Sequence, residues 1–271
     1  MVLETKQWWT RKENVRLLKK IIRLSRAAYG AGLAGTWSLV KVTLLNRFLG
    51  RSSRPVQMRS KFCNHPLQCR RMSSDDRVFY QVFAQCDYAC FNDLTNVSLI
   101  IDCGANVGYT SAYFLSRHPK ASVIAVEPDQ ANFELLEQNL SLFHSRFRVV
   151  QKGIWSYACD LTVVRPRPGD RNEWGVQVRE TRDGEQPDVS AVDIQTLLRE
   201  SGHSRISILK IDIEGSEAEL LRHGCDWLDL VDNLAIELHG ADCERLFAMA
   251  VAGRDFQISR SGELTVCRIR T

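Results

Sequence analysis

From Ser98 to the C-terminus, short apolar runs alternate with amphipathic stretches at helical spacing, and this alternation constrains the fold most. The runs are Ser98–Asp102, Ser122–Glu127, Phe147–Ile154, Ile206–Ile211 and Asn233–His239. Between them, helices are predicted over Val107–Arg117, from the Asp129 cap through Leu140, over Ile194–Ser201 and Ser216–Arg222, and after the last run from Asp242 to about Ala252. Runs that are apolar throughout belong to strands buried on both faces, so the pattern predicts a mostly parallel sheet with helices on each side. Phe256–Ser259 and Leu264–Ile269, turning at Ser261-Gly262, add an antiparallel hairpin. The 44% hydrophobic composition is that of an ordinary globular chain. No run of about 18 apolar residues is present, which argues against a multi-span membrane protein. The nine cysteines are odd in number and lack a CxxC pair, which suits a reduced, cytoplasmic protein.

In a sheet of this kind, ligands bind beyond the carboxyl ends of the strands, at the switch point. The first strand ends in Asp102-Cys103-Gly104-Ala105-Asn106-Val107-Gly108, a turn open enough for close backbone approach to a ligand. The second ends in Glu127-Pro128, nineteen residues after Gly108, where a carboxylate suits the two hydroxyls of a ribose. A dinucleotide would fit the carboxylate, but the glycines are spaced GxxxG and not GxGxxG. Asp102 would also repel a pyrophosphate at that turn. S-adenosylmethionine carries a sulfonium and an ammonium, so both acids suit it. A nicotinamide-dependent oxidoreductase and a non-enzymatic module docking to a membrane through the basic N-terminal residues are the alternatives.

The segments IDCGANVGYTSAYF, AVEPDQANFELLEQNL, VSAVDIQTLL and LKIDIEGSEAELL, in that order, resemble the FkbM family of S-adenosylmethionine-dependent methyltransferases. The resemblance runs from about Ser73 to the C-terminus. It implies a Rossmann-like class I methyltransferase fold, with seven strands in the order 3-2-1-4-5-7-6. It also implies O-methylation of a hydroxyl on a sugar, polyketide or peptide acceptor. By the same resemblance Asp102, Gly104, Asn106 and Gly108 line the methionine part of the cofactor, Glu127 and Pro128 hold its ribose, and the segment Lys152-Gly153-Ile154-Trp155 flanks the adenine.

The remaining strand-end residues suit catalysis. Lys210, Asp212 and Glu214 fall on one side of the fourth strand's end by the period of two, and Glu237 and His239 do the same at the fifth. Methyl transfer to oxygen needs a positioned hydroxyl and a base for its proton. Asp212 and His239 are the candidates. Asp212, Glu237 and His239 would also suit a divalent ion, although the resemblance requires no metal and none is assigned. The stretch between Cys159 and Val189 breaks the alternation with three prolines and several charges. Within it, Arg165–Asp188 is expected to be a lid carrying Trp174-Gly175.

Charge divides the chain. Residues 1–71 carry +14 and the remainder −10. This suggests a basic helical extension over residues 1–72 and a catalytic domain over residues 73–271. Within the extension, Arg11–Tyr29 reads as a basic amphipathic helix, interrupted by Gly30, Gly32 and Gly35 and followed by an apolar stretch from Trp37 to Leu49. Contact of residues 1–50 with a membrane surface and packing on the chain's own domain are both open readings. Nucleic acid is not expected, because aromatic residues are not interleaved with the basic ones. The extension is expected to be dispensable for folding. Residues 55–71 read as a linker, and Cys63, His65 and Cys69 lack the fourth ligand a zinc site needs. Ser73-Ser74-Asp75-Asp76 reads as the N-cap of a helix ending near Asp87.

Overall fold

The computed structural model describes residues 25–49, 54–166 and 173–269. Helix α1 (Gly32–Leu49) leads into a short hairpin, β1 (Val56–Met58) with β2 (Leu67–Cys69), where the sequence suggested only a linker. Helix α2 (Asp75–Phe79) continues as one wider turn over Tyr80–Gln85 and stops at Cys86, which is left-handed. Then follow β3 (Leu99–Cys103), α3 (Tyr109–Arg117), β4 (Ser122–Val126), α4 (Gln130–Leu140) and β5 (Phe147–Val150). A small-sheet region holds β6 (Gly153–Ile154), β7 (Asp160–Val164), β8 (Gln177–Glu180) and β9 (Val189–Val192). The chain closes with α5 (Ile194–Ser201), β10 (Ile208–Ile211), α6 (Glu217–Arg222), β11 (Asn233–Glu237), α7 (Ala241–Val251), β12 (Phe256–Ser261) and β13 (Leu264–Ile269).

The central sheet runs β12-β13-β11-β10-β3-β4-β5. Counting only its own strands along the chain, that is 3-2-1-4-5-7-6 from the β5 edge, the class I order. β3, β4, β5, β10 and β11 are parallel, and β13 enters antiparallel to both β11 and β12. The pleat sends alternate residues to opposite faces. Ile100, Val123 and Ile208 pack with Ala112, Phe114 and Leu136 on one face. Ile101, Ile124 and Leu209 pack with Leu197, Leu221 and Phe247 on the other. That double burial is what the unbroken apolar runs foretold. Asp129 caps α4 through side-chain contacts to backbone N–H groups, as its sequence position suggests, and Asp193 caps α5 in the same way.

Two expectations need correction. The run Phe147–Ile154 is not one strand. The Lys152 N–H turns back to the Val150 carbonyl, and Gly153–Ile154 leaves to pair with β9 in a second sheet, ordered β6-β9-β7-β8. Apolarity alone could not show that break. The supposed irregular excursion also contains the antiparallel β7–β8 pair. At the start of α2, Ser73 Oγ accepts from Asp75 N–H, whereas Ser74 Oγ accepts from the distant Trp174 N–H.

The described part of the basic segment does not stand apart. Ala27, Ala31, Leu39 and Val42 share one buried cluster with Met58, Leu67, Phe79 and Phe83. Gly30 lies so close to the wide turn that a Cβ there would sit 2.3 Å from the Ala84 carbonyl oxygen. Charge and packing therefore divide the chain at different places. Most of the Arg11–Tyr29 helix falls outside the described residues. His65 stacks edge-on against Phe143, and Cys69 is fully buried.

Candidate active site

The carboxyl ends of β3, β4, β10 and β11 open into one cavity of about 350 Å³, within the range for small-molecule sites. Its wall on the β3 side is the turn Gly104-Ala105-Asn106. Gly104 has φ +77°, and a Cβ there would lie 1.8 Å from the Asp212 carbonyl oxygen. Only glycine lets the ends of β3 and β10 approach this closely. Lys210 ties the same turn from below. Its Nζ donates to the Gly104 carbonyl at 2.6 Å and to the Cys103 carbonyl at 3.2 Å. It is also ion-paired with Asp102 at 3.3 Å and with Asp212 at 3.8 Å. Burial opposes the charge on Lys210, but the two aspartates outweigh it and hold the ammonium firmly protonated.

Asp102 itself is fully buried and does not reach the cavity wall. Its Oδ2 accepts from Ser111 Oγ at 2.6 Å. Asp102 is thus linked to the cavity wall through Lys210, to which it is paired. Gly108 also lies behind the wall, against Leu136.

Glu127 ends β4, buried except toward the cavity. Oε2 accepts from Asn106 N–H at 2.8 Å, and Oε1 accepts from Asp129 N–H at 3.1 Å and Asn132 Nδ2 at 3.3 Å. Burial pushes its carboxyl up to about 7, against the pull of these donors. Pro128, Lys152, Gly153 and Ile154 continue this wall. Trp155 packs instead in the small-sheet cluster with Leu161 and Ala191. Trp174 closes the side nearest α2, with Arg77 5.3 Å above its ring. There Glu173 Oε2 accepts from Ser74 N–H at 2.8 Å.

The opposite end of the cavity is acidic. Asp212, Glu214, Glu237 and His239 line it together, as the strand-end reading expects of neighbouring strands. The Asp212 side chain keeps 28% exposure, toward the cavity. Burial raises its carboxyl to about 6, with Lys210 opposing. Glu214 sits in the left-handed region at φ 54°, and burial together with Asp212 raises it to about 7.

His239 lies among three carboxylates. Its Nδ1 is 3.1 Å from Glu217 Oε1, and its Nε2 is 3.4 Å from Glu237 and 3.8 Å from Glu214. Hydrogen bonds to Glu217 and Glu237 push its pKa up to about 11. Through the neutral range it is an imidazolium with no free lone pair.

Glu217 escaped the sequence reading, because it sits inside the first turn of α6 and looks like an ordinary dipole-facing acid. It is fully buried and accepts from Ile213 N–H and Gly215 N–H, both at 2.8 Å, so it shapes the β10–α6 loop. Its spacing after the apolar strand end was the available signal. Asp87, Tyr88 and Thr110 also line the wall and were likewise not singled out as site residues. They come from elements outside the strand ends.

A family model described as the methyltransferase FkbM domain matches residues 102–252. The chain belongs to the FkbM methyltransferase family. Its relatives include methyltransferase sdnD of Sordaria araneosa, 31% identical over 192 residues, covering 59% of this chain and 73% of that protein. Methyltransferase 1 of Beauveria bassiana (strain ARSEF 2860) is 27% identical over 168 residues, covering 52% of this chain and 64% of that one. A solved rRNA methylase from Streptococcus thermophilus is 11% identical with a TM-score of 0.42, covering 69% of this chain and 96% of its own. That likeness is too distant to carry an argument, and the fold assignment rests on the strand order. The chain is a methyltransferase of class I architecture.

Proposed function

We propose that this methyltransferase takes its methyl group from S-adenosylmethionine and places it on a hydroxyl oxygen of a sugar or other small secondary-metabolite acceptor. The observation that carries the reading is one cavity holding two differently placed carboxylates. Glu127 stands at the end of the second strand, where ribose hydroxyls would donate to it. Asp212 stands at the end of the fourth, beside the acidic pocket. The residues fit the cofactor. Gly104-Ala105-Asn106 present backbone without bulk, and Gly153 and Ile154 give an apolar slot for a base. The acidic lining suits a ligand with two positive centres.

When bound, the cofactor supplies an electrophilic methyl on a sulfonium. Asp212 would hold the acceptor hydroxyl and take its proton as the oxygen accepts the methyl group, the sulfonium becoming a neutral thioether. A carboxyl near 6 is ionised at neutral pH yet basic enough to accept that proton. Lys210 fixes both the Gly104 turn and Asp212, and so positions the two ligands relative to each other. His239, held charged by Glu217 and Glu237, places a fixed positive charge beside the acceptor and is not the base.

A metal-assisted reading has one observation in its favour. Ligand atoms of Asp212, Glu217 and His239 all lie within 4.8 Å of one another. Against it, His239 would have to lose a strongly held proton. A chelator that abolishes activity, with recovery on adding Mg²⁺, would favour the metal.

Glu127→Ala tests the cofactor site. Losing charge-assisted hydrogen bonds to buried ribose costs about 1.5–3 kcal/mol, so affinity for S-adenosylmethionine is expected to fall tenfold or more. Calorimetry on folded protein reads this directly. Unchanged affinity would remove Glu127 from the cofactor site.

A further inference from the structure

Helix α1 buries one face and leaves the opposite one apolar. Ala31, Leu39 and Val42 point into the core. Leu33, Trp37, Leu44 and Phe48 recur at spacings of four and seven, which places them within a narrow arc of the helix. Their exposures are 86%, 65%, 45% and 72%. Surface apolar residues scattered singly need no explanation, but an aligned stripe of four does. At helical spacing Arg47 falls on one flank of the arc and Lys41 on the other, and both are exposed. Tyr29, just before the helix, is 85% exposed.

We propose that this stripe docks on an anionic lipid surface, with α1 lying in the interface plane. The occupant follows from the arrangement of charge. Apolar side chains at the centre with cations along both edges match an acyl layer beneath negative headgroups. A phosphate backbone would gain nothing from Leu33, Leu44 and Phe48 at the centre. The surrounding sequence adds to the attraction, since residues 1–71 carry +14 against −10 for the rest. Among the described residues no helix is long and apolar enough to cross a membrane, so the contact would lie on the surface. The start of this helical segment adjoins the active site. Arg26 and Tyr29 line a groove together with Asp87, which also walls the catalytic cavity. Docking is independent of the methyl-transfer reading, because none of the stripe residues lines that cavity.

The test uses the full chain and sedimentation with two kinds of vesicle, one of phosphatidylglycerol and phosphatidylcholine in equal parts, the other of phosphatidylcholine alone. The protein is expected to sediment with the first and not the second, and to be released by raised salt. Leu33→Glu with Trp37→Glu is expected to reduce binding by about tenfold or more, since two carboxylates replace the centre of the stripe. The melting temperature and S-adenosylhomocysteine binding of this variant are expected to match the wild type. Lys41→Gln with Arg47→Gln is expected to weaken binding to the anionic vesicles and leave the protein folded. Failure of the wild type to bind anionic vesicles overturns the proposal, as does a doubly acidic variant that binds like wild type. A concentration-dependent dimer, seen by ultracentrifugation and abolished by the acidic variant without any vesicle binding, would assign the stripe to a second copy of the chain. Nucleic acid competing the protein off anionic vesicles while the acidic variant still binds that nucleic acid would assign the cations elsewhere and also overturn it.

Discussion

Asp212→Asn is expected to lower turnover by about 10²–10⁴-fold while leaving cofactor affinity nearly unchanged. The substitution keeps shape and volume and removes the group that takes the hydroxyl proton. The Asp212 N–H still donates to the Cys103 carbonyl, so the strand end should hold its place. Lys210 would lose one anionic neighbour but keep Asp102 and two backbone carbonyls. The pH profile supplies a second readout. Because the ionised form acts, kcat/KM for the wild type is expected to fall as pH drops below about 6, the value to which burial raises this carboxyl. The variant should lack that limb. Glu214 titrates near 7 in the same cavity, so Glu214→Gln is the control that keeps the limb if Asp212 is the base. Wild-type turnover by Asp212→Asn would leave Asp212 as a structural residue of the loop.

Truncation before Gln57 is the second large effect. It removes Ala27, Ala31, Leu39 and Val42 from the cluster that also holds Met58, Phe79 and Phe83. Burying a side chain such as leucine or valine contributes about 1.5–3 kcal/mol. Losing two of them, with the alanines, takes a large share of a total stability of about 5–15 kcal/mol. The truncated chain is expected to melt well below the intact one or to be recovered insoluble. A soluble truncated protein with the full melting temperature would show that the helical segment contributes nothing to the core.

Composition and packing divide this chain differently. The charge boundary near residue 71 is real in the sequence, yet Ala27, Ala31 and Val42 carry no signal of where they pack. Small residues on a basic helix look the same whether they face solvent or a neighbouring turn. Gly30 was legible only as an interruption. Its closeness to the Ala84 carbonyl shows it to be a point of contact.

The central sheet was legible because burial on both faces imposes continuous apolar runs, and five strands with the closing hairpin stand where those runs lie. The small sheet was not, since its strands β7 and β8 are half exposed and mix charges with valines. The ends of the parallel strands announced Glu127, Asp212, Glu237 and His239, which the fold brings into one cavity. Position along a strand does not say how deep a side chain ends. Asp102 and Glu127 both sit at strand ends, but Asp102 lies under the turn, bound to Lys210 and Ser111, whereas Glu127 faces the cavity. Nor does it reveal protonation. His239 reads as a base by residue type, and only the carboxylates around it, Glu217 above all, show it held as a cation.

S-adenosylmethionine is expected to bind in this cavity, with Glu127 on its ribose and the acidic strand ends beside its methyl group. Titration calorimetry of the purified full chain tests it most directly, with S-adenosylmethionine, S-adenosylhomocysteine and NAD as separate ligands. Saturable one-to-one binding of both adenosyl ligands is expected, each competing with the other, with no binding of NAD. Binding of NAD without either adenosyl ligand would contradict it.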